Sequence, residues 1–450
     1  MRILVCMHGE SGHHMGTFRL AKALMARGHA VTYLGNPNVS SLVQEQGFAF
    51  IPFPPEPTPG GEGAQSQPDR TVKTRWWSQR WRNEMAFRRY TQMLVDGTLD
   101  QRMASGHPDL VLCDAFLWSV ALRALSMQIP TIQMSTSLFT SFNSQIPPAI
   151  TAMPPARGPW SARLISMAWV WMHLKHVVTK RWASVLLGSY RAPLRMHHLT
   201  ATFHWVARHS GRQCKHNRDY VLDEIGPHLI LPEIVLCPKA FQFPGKLPAH
   251  RHYYGDFIDL DRQEPDLPFD PRHKTIVFCS LGTSARSYNG ARRFFTAAAL
   301  ASRHHPEWFF VVHISDADLI EHFTSTENLL ILPWVAQLSL LRHTAVMVTH
   351  GGLNSIMECI HNQVPMVIVP CARDQPGNAA RAAFHGIAVR AEIRHLDSAH
   401  LSQLIAKALQ DQTMKECLKQ MKASIQSGEG IDDAVEFIES MATGPAMPAM

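Results

Sequence analysis

The 450 residues are too many for one ordinary core and point to two domains of roughly 200 residues each. Hydrophobic residues make up 46% and charged residues 18%, which excludes a disordered chain. The net charge of +7, from 43 Lys and Arg against 36 Asp and Glu, is too small and too scattered for a nucleic-acid partner; it suits a polyanionic ligand such as a diphosphate, or an anionic membrane surface.

The chain opens as strand, loop, helix, strand. Residues 2–7 form a largely apolar strand, 8–16 a Gly/His loop, 17–27 an amphipathic helix closed by Gly28, and 30–35 the next strand. This is a βαβ unit of a buried parallel sheet. Residues 109–114 (DLVLCD) and 130–135 are further strands around a helix. The opening residues do not read as a signal peptide, and no apolar run reaches the roughly 18 residues of a membrane span, so a cytoplasmic location is expected. The eight cysteines form no CxxC pair and read as reduced thiols.

Residues 52–69 are rich in Pro and Gly and read as a mobile loop. Two Trp- and Arg-rich stretches follow. Residues 75–89 carry Trp76, Trp77 and Trp81 among five arginines; residues 160–187 carry Trp169, Trp171 and Trp182 with Lys175, Lys180 and Arg181. Both read as helices, apolar on one side and basic on the other. They are either core helices with solvated basic faces, or an apolar acceptor pocket or membrane-surface contact.

A charged, Pro-rich linker at 259–272 starts a second α/β series. Strands are expected at 275–280, 308–314, 328–332, 345–349, 365–370 and 387–391, then helices at 396–409 and 413–426. The boundaries follow: 1–258 an acceptor-binding Rossmann-like domain, 259–430 a nucleotide-sugar-binding one, 431–450 a C-terminal helix and tail, disordered from 444. The fold class is α/β, two doubly wound sheets facing across a cleft.

The most specific segment runs from Pro333 to Gln375. After a strand comes His350-Gly351-Gly352-Leu353-Asn354-Ser355, then a helix carrying Glu358. Glycines let a ligand approach the backbone, and the free N–H groups and dipole of the following helix point at negative charge. Asn354, Ser355 and His350 can donate to a diphosphate. Glu358 can accept both hydroxyls of a ribose, and Trp334 offers a flat face to a base. Asp374 and Gln375 suit the hydroxyls of a sugar. Taken singly, each of these residues is equally well a core Trp, a helix cap or a solvated carboxylate.

Together they resemble the signature of the UDP-glycosyltransferases of glycosyltransferase family 1, including the bacterial macrolide-type enzymes of GT-B fold. The resemblance rests on Trp334, Gln337, His350-x-Gly352-x-Asn354-Ser355, Glu358, Val364-Pro365, Pro370 and Asp374-Gln375 in step. It covers most of the second half and the first ~50 residues. It implies that Trp334 stacks the uracil, His350 meets the diphosphate with Asn354 and Ser355, Glu358 binds the ribose, and Asp374-Gln375 holds the sugar. Ser280 and Thr283 in CSLGT resemble the family's phosphate loop; a strand-ending turn reads them equally well.

The acceptor hydroxyl needs a base, and a histidine oriented by a carboxylate is the natural one. Gly12-His13 resembles the family's Gly-His before the first helix, which makes His13 the expected base, with His14 its rival and Gly16 standing where the family usually has proline. Asp114, at the end of DLVLCD, is by resemblance its partner; it reads also as the N-cap of a helix over 115–127. The implied reaction is an inverting transfer of a hexose, glucose by the Gln375 match, from a UDP-sugar to a hydroxyl on a hydrophobic acceptor. No metal and no cofactor beyond that co-substrate is expected. The chain is expected as a monomer or homodimer, with peripheral membrane contact.

Alternatives are a nucleotide-sugar-binding protein without turnover and a UDP-sugar epimerase of the same fold. No HExxH occurs, and the DxD matches Asp316-Ala317-Asp318 and Asp259-Leu260-Asp261 are short; Asp316 reads better as a helix cap. The absence of GxGxxG in the first loop disfavours a dehydrogenase.

Overall fold

The computed structural model describes residues 1–53, 90, 92–94, 96–186, 196–224, 226–255, 257–283 and 285–443. The Pro/Gly stretch beyond Phe53, the Trp/Arg stretch at 75–89 and the tail from Gly444 lie outside the described residues.

Short, largely aliphatic runs become strands that are buried in the middle of the sheet and only partly covered at its edge. In the first half these are Arg2–Cys6 (β1), Ala30–Gly35 (β2), Ala49–Pro52 (β3), Leu110–Asp114 (β4) and Thr131–Ser135 (β5). Tyr220–Leu222 (β6) and Pro227–Leu229 (β7) pair as a small antiparallel ribbon, followed by Glu233–Val235 (β8) and Arg251–Tyr253 (β9). The main sheet has the order β3-β2-β1-β4-β5-β8-β9, every neighbour parallel. Strand alternation divides its core. Leu4, Cys6, Val111 and Cys113 face one apolar layer; Ile3, Val5, Leu110 and Leu112 face the other.

The second sheet is built from Thr275–Ser280 (β10), Trp308–His313 (β11), Leu329–Leu332 (β12), Thr344–Thr349 (β13), Met366–Ile368 (β14) and Ala388–Arg390 (β15). Its order, β12-β11-β10-β13-β14-β15, is again all parallel. Each sheet reverses its winding next to its first strand, between β1 and β4 and between β10 and β13. Loops diverge there and open a crevice at the strands' carboxyl ends, where ligands bind in this class of fold. The last helix, Ile431–Thr443, returns to the first sheet, with Ala434, Val435 and Ile438 buried against the layer of Ile3 and Val5.

Three local expectations change. The Gly/His loop at 8–16 contains a short helix, Ser11–Met15, closed by the Gly16 N–H to the Gly12 carbonyl; five residues are too few to carry a hydrophobic period. Asp114 is not a helix N-cap, because the helix after it begins at Trp118 behind Leu117; its Oδ1 accepts instead from the Phe116 N–H at 3.0 Å. The helix Pro159–Leu186 buries Ile165, Trp169 and Met172, but its outer face is apolar rather than basic over the turns whose side chains are described. Trp160 is 78% exposed, and Leu164, Met167, Val170 and Leu174 follow at helical spacing. The side chains of Lys175, Lys180 and Arg181 lie outside the description. Among the described residues no helix is long and apolar enough to cross a membrane. All eight cysteines are free.

Candidate active site

At the first switch point β1 runs into the helix Ser11–Met15, and β4 ends on Asp114. The His13 Nδ1 lies 2.6 Å from Asp114 Oδ2 and 2.9 Å from the Thr136 hydroxyl, which follows β5. Asp114 is 1% exposed and also accepts the His8 backbone N–H at 3.2 Å. With Nδ1 held by a carboxylate, the other ring nitrogen, Nε2, is the one left to take a proton. Burial pushes the His13 pKa down; the Asp114 charge and hydrogen bond, with Glu10 and Asp374 adding, outweigh it, so the net shift is upward. The rival His14 is fully buried beside Tyr33, and its Nδ1 lies 3.2 Å from the Glu10 carbonyl. Burial lowers its pKa to about 4, as it does for His8.

At the second switch point β13 ends at Thr349 and the helix Leu353–Asn362 begins behind Gly352, with no side chain capping its first N–H groups. That leaves donors aimed outward for an anion. Gly351 sits at φ +87, where a Cβ would also meet Ile368 at 2.7 Å. The His350 ring packs between two glycines: a Cβ on Gly352 would lie 2.6 Å from its Nε2, and one on Gly282 2.8 Å from its Cε1. Burial lowers the His350 pKa to about 4, so the imidazole is neutral and offers one N–H at a time.

The remaining expected donor residues gather on the same edge. Trp334 follows β12 and is 57% exposed, its ring open for stacking. Gln337 opens the next short helix and donates to Glu358 Oε2 at 2.7 Å and to Ser355 Oγ at 3.3 Å. Asp374 precedes the helix Gln375–Phe384 and accepts from Asn378 at 3.0 Å; burial raises its pKa. Thr283 is exposed beside this edge.

Three expected ligand contacts are occupied by protein. Ser280 is buried, accepts the Gly282 N–H at 3.0 Å and sits 2.9 Å from His313 Nδ1, so its hydroxyl shapes the turn after β10. Gln375 accepts the N–H groups of Cys371 and Ala372 at 2.8 and 2.9 Å and donates to the Tyr288 hydroxyl at 2.9 Å, so it holds the loop that carries Asp374. Asn354 donates to the Gly12 carbonyl at 3.0 Å and so joins the two sheets' loops, one residue from His13.

The pattern search missed two further bridges. Glu10 and Arg373 form an ion pair across the cleft, Arg373 standing at φ +57 just before Asp374. The Ala149 carbonyl accepts the Gly377 N–H at 2.7 Å, while Glu224, whose pKa burial pushes up to about 8, accepts the N–H groups of Ala149 and Ile150 at 2.8 Å each. Only the cross-cleft geometry singles these residues out; local sequence carries no such signal.

Among the described residues two groups have spacing that could hold a metal ion, His8-Glu10-His13 and His228-Glu233-His250. In the first the Arg373 guanidinium lies on Glu10; in the second Arg251 lies 2.8 Å from Glu233. A cation there would face an arginine already in place. Asp316 caps the helix Ala317–Ile320, accepting the Leu319 N–H at 2.7 Å, and both it and Asp318 face Arg286.

Residues 270–442 match the family model described as UDP-glucoronosyl and UDP-glucosyl transferase. The chain is 25% identical to a zeaxanthin glucosyltransferase of Pseudescherichia vulneris over 443 residues, 96% of each protein. Among solved structures it is similar to the glycotransferase of kitacinnamycin, with a TM-score of 0.65 at 22% identity over 98% of each chain. It is similar also to the glycosyltransferase VinC in complex with dTDP, with a TM-score of 0.62 at 18% identity over 98% of this chain and 99% of that one. Those structures are of the GT-B fold, which is the fold of this chain.

The His13–Asp114 contact has a direct readout. NMR titration of the histidine ring protons is expected to give His13 a pKa above the ordinary 6.5 of imidazole. Asp114→Asn removes the main charge that favours the imidazolium and is expected to lower that pKa, since burial, the largest influence, is then opposed only by Glu10 and Asp374.

Proposed function

We propose, from the premise that the chain belongs to the family 1 glycosyltransferases and transfers a sugar from a nucleotide sugar, that it moves a hexose from a UDP-sugar to a hydroxyl of a hydrophobic acceptor, with inversion and without a metal. The observation that carries the reading is the His13–Asp114 pair at one switch point, joined through Gly12 and Asn354 to the uncapped helix Leu353–Asn362 at the other.

The mechanism follows from that arrangement. The pyrophosphate takes the first N–H groups of Leu353–Asn362 with His350 and Ser355, the base stacks on Trp334, and the ribose meets Glu358. Asp374 receives the sugar hydroxyls. Binding a diphosphate would draw Asn354 from Gly12 to phosphate or keep it as the strut of the closed cleft; either way it couples donor to base. His13 Nε2 takes the acceptor proton as the oxygen attacks the anomeric carbon from the face opposite the leaving group. Asp114 stabilises the imidazolium that forms, and the helix end stabilises the departing charge.

Uridine is favoured by the family model over the second half; glucose is favoured by the glucosyltransferase that is similar over almost the whole chain. The apolar outer stripe of Pro159–Leu186 supports a hydrophobic acceptor, of which the zeaxanthin in that relative's name is an example. The same stripe favours a second reading of that face, peripheral contact with a bilayer from which such an acceptor would be drawn.

His13→Ala is expected to lower kcat by about two to four orders of magnitude with little change in donor KM, measured by mass spectrometry of the glycoside. Wild-type turnover in that variant removes the base assignment. For the membrane contact, flotation with anionic liposomes is expected to carry the protein upward, and Trp160→Ser/Met167→Ser to abolish this; protein that stays wholly in the soluble fraction removes it.

A further inference from the structure

The charged, Pro-rich segment 259–272 reads from its composition as an inter-domain linker. Its residues Arg262 and Glu264 are built into the edge that carries Trp334, Gln337 and Glu358. The Arg262 guanidinium donates through Nη1 to Glu358 Oε1 at 2.6 Å. Its Nε donates to Glu264 Oε1 at 2.8 Å, and Nη2 lies 2.7 Å from the same oxygen. Glu264 in turn accepts the backbone N–H groups of Leu338 at 3.2 Å and Ser339 at 2.7 Å, in the first turn of the helix Gln337–Leu341. Gln337 closes the ring by donating to Glu358 Oε2 at 2.7 Å. The side chains are largely buried: Arg262 is 15% exposed, Glu264 8% and Glu358 6%.

Each carboxylate oxygen of Glu358 thus has one donor fixed in place, and each keeps a further lone-pair direction. The planar fork of an arginine is what allows one side chain to serve Glu358 and Glu264 at once; a lysine ammonium cannot present that fixed pair of directions. Without Arg262, a nearly buried carboxylate would hold only the Gln337 amide, and its orientation would no longer be fixed.

We infer that Arg262 is a positioning residue of the donor site: it fixes the orientation of the Glu358 carboxylate for the two ribose hydroxyls, and ties nucleoside recognition to the linker between the two sheets. This rests on the reading of Glu358 as the ribose carboxylate. It makes the linker a part of nucleoside recognition.

The test uses the full-length protein and isothermal titration with UDP, 2′-deoxy-UDP and inorganic pyrophosphate. Arg262→Met is expected to weaken UDP about tenfold. It is expected to leave pyrophosphate nearly unchanged, because that anion is held by the first N–H groups of the helix behind Gly352, which Arg262 does not touch. The penalty for removing the 2′-hydroxyl, clear in the native protein, is expected to shrink in Arg262→Met, and Arg262→Lys to recover part of the UDP affinity by restoring charge without the fork. Steady-state kinetics should show a raised donor KM with kcat changed less than about threefold. Unchanged UDP affinity in Arg262→Met overturns the inference, and so does equal weakening of UDP and pyrophosphate, which reports general damage. Glu358→Gln separates the two levels. If it too binds UDP and 2′-deoxy-UDP as the native protein does, the ribose reading itself fails; if it loses the discrimination while Arg262→Met keeps it, only the role of Arg262 fails.

Discussion

Two parallel sheets that each reverse their winding beside their first strand can present only one edge to a ligand, the carboxyl ends of the strands at the reversal. That constraint fixes almost everything else in this chain. β1 and β4 deliver His13 and Asp114; β10 and β13 deliver the Ser280 turn and the His350-Gly351-Gly352 approach to an uncapped helix. The Asn354 amide on the Gly12 carbonyl, the Glu10–Arg373 pair and the Gly377 N–H on Ala149 then hold the two edges together.

The electrostatics follow from which groups are buried with partners and which without. His350 loses its charge to burial and becomes a neutral donor beside a helix end that already favours anions. His13 keeps access to its charged form because Asp114 is beside it, which is the property wanted of a base that must hold a proton for one step. Asp374 lies across from His13 on the other sheet, and burial lifts its pKa. Of these two imidazoles one is held by a carboxylate and able to take a proton, and the other is kept neutral by burial, a difference set by environment and not by residue type.

Much of this was legible in the residues because it depends on local pattern. Buried parallel strands write themselves as short aliphatic runs, and the Gly351-Gly352 break announces the uncapped start of the helix at Leu353. The pairing of His13 over His14 was also legible, through likeness to a family rather than through spacing. What was not legible depends on contacts between distant segments. Nothing around Gln375 says that its amide holds the 371–374 turn, nothing around Ser280 says that its hydroxyl caps the turn to Gly282, and nothing in a charged Pro-rich linker says that Arg262 reaches Glu358, 96 residues on. The outer face of Pro159–Leu186 misled for a related reason: its basic residues cluster toward the C-terminal half, so the composition of the whole stretch hid an apolar N-terminal half.

The central claim is spatial: the base on one sheet faces the leaving group on the other, so the acceptor oxygen must enter from the side opposite the diphosphate in a single displacement. The anomeric configuration of the first-formed glycoside tests this most directly. Proton NMR of product made from an α-linked UDP-hexose is expected to show the large coupling of a β-glycoside. A product that keeps the α configuration would contradict the account, because one in-line attack assisted by His13 cannot give it.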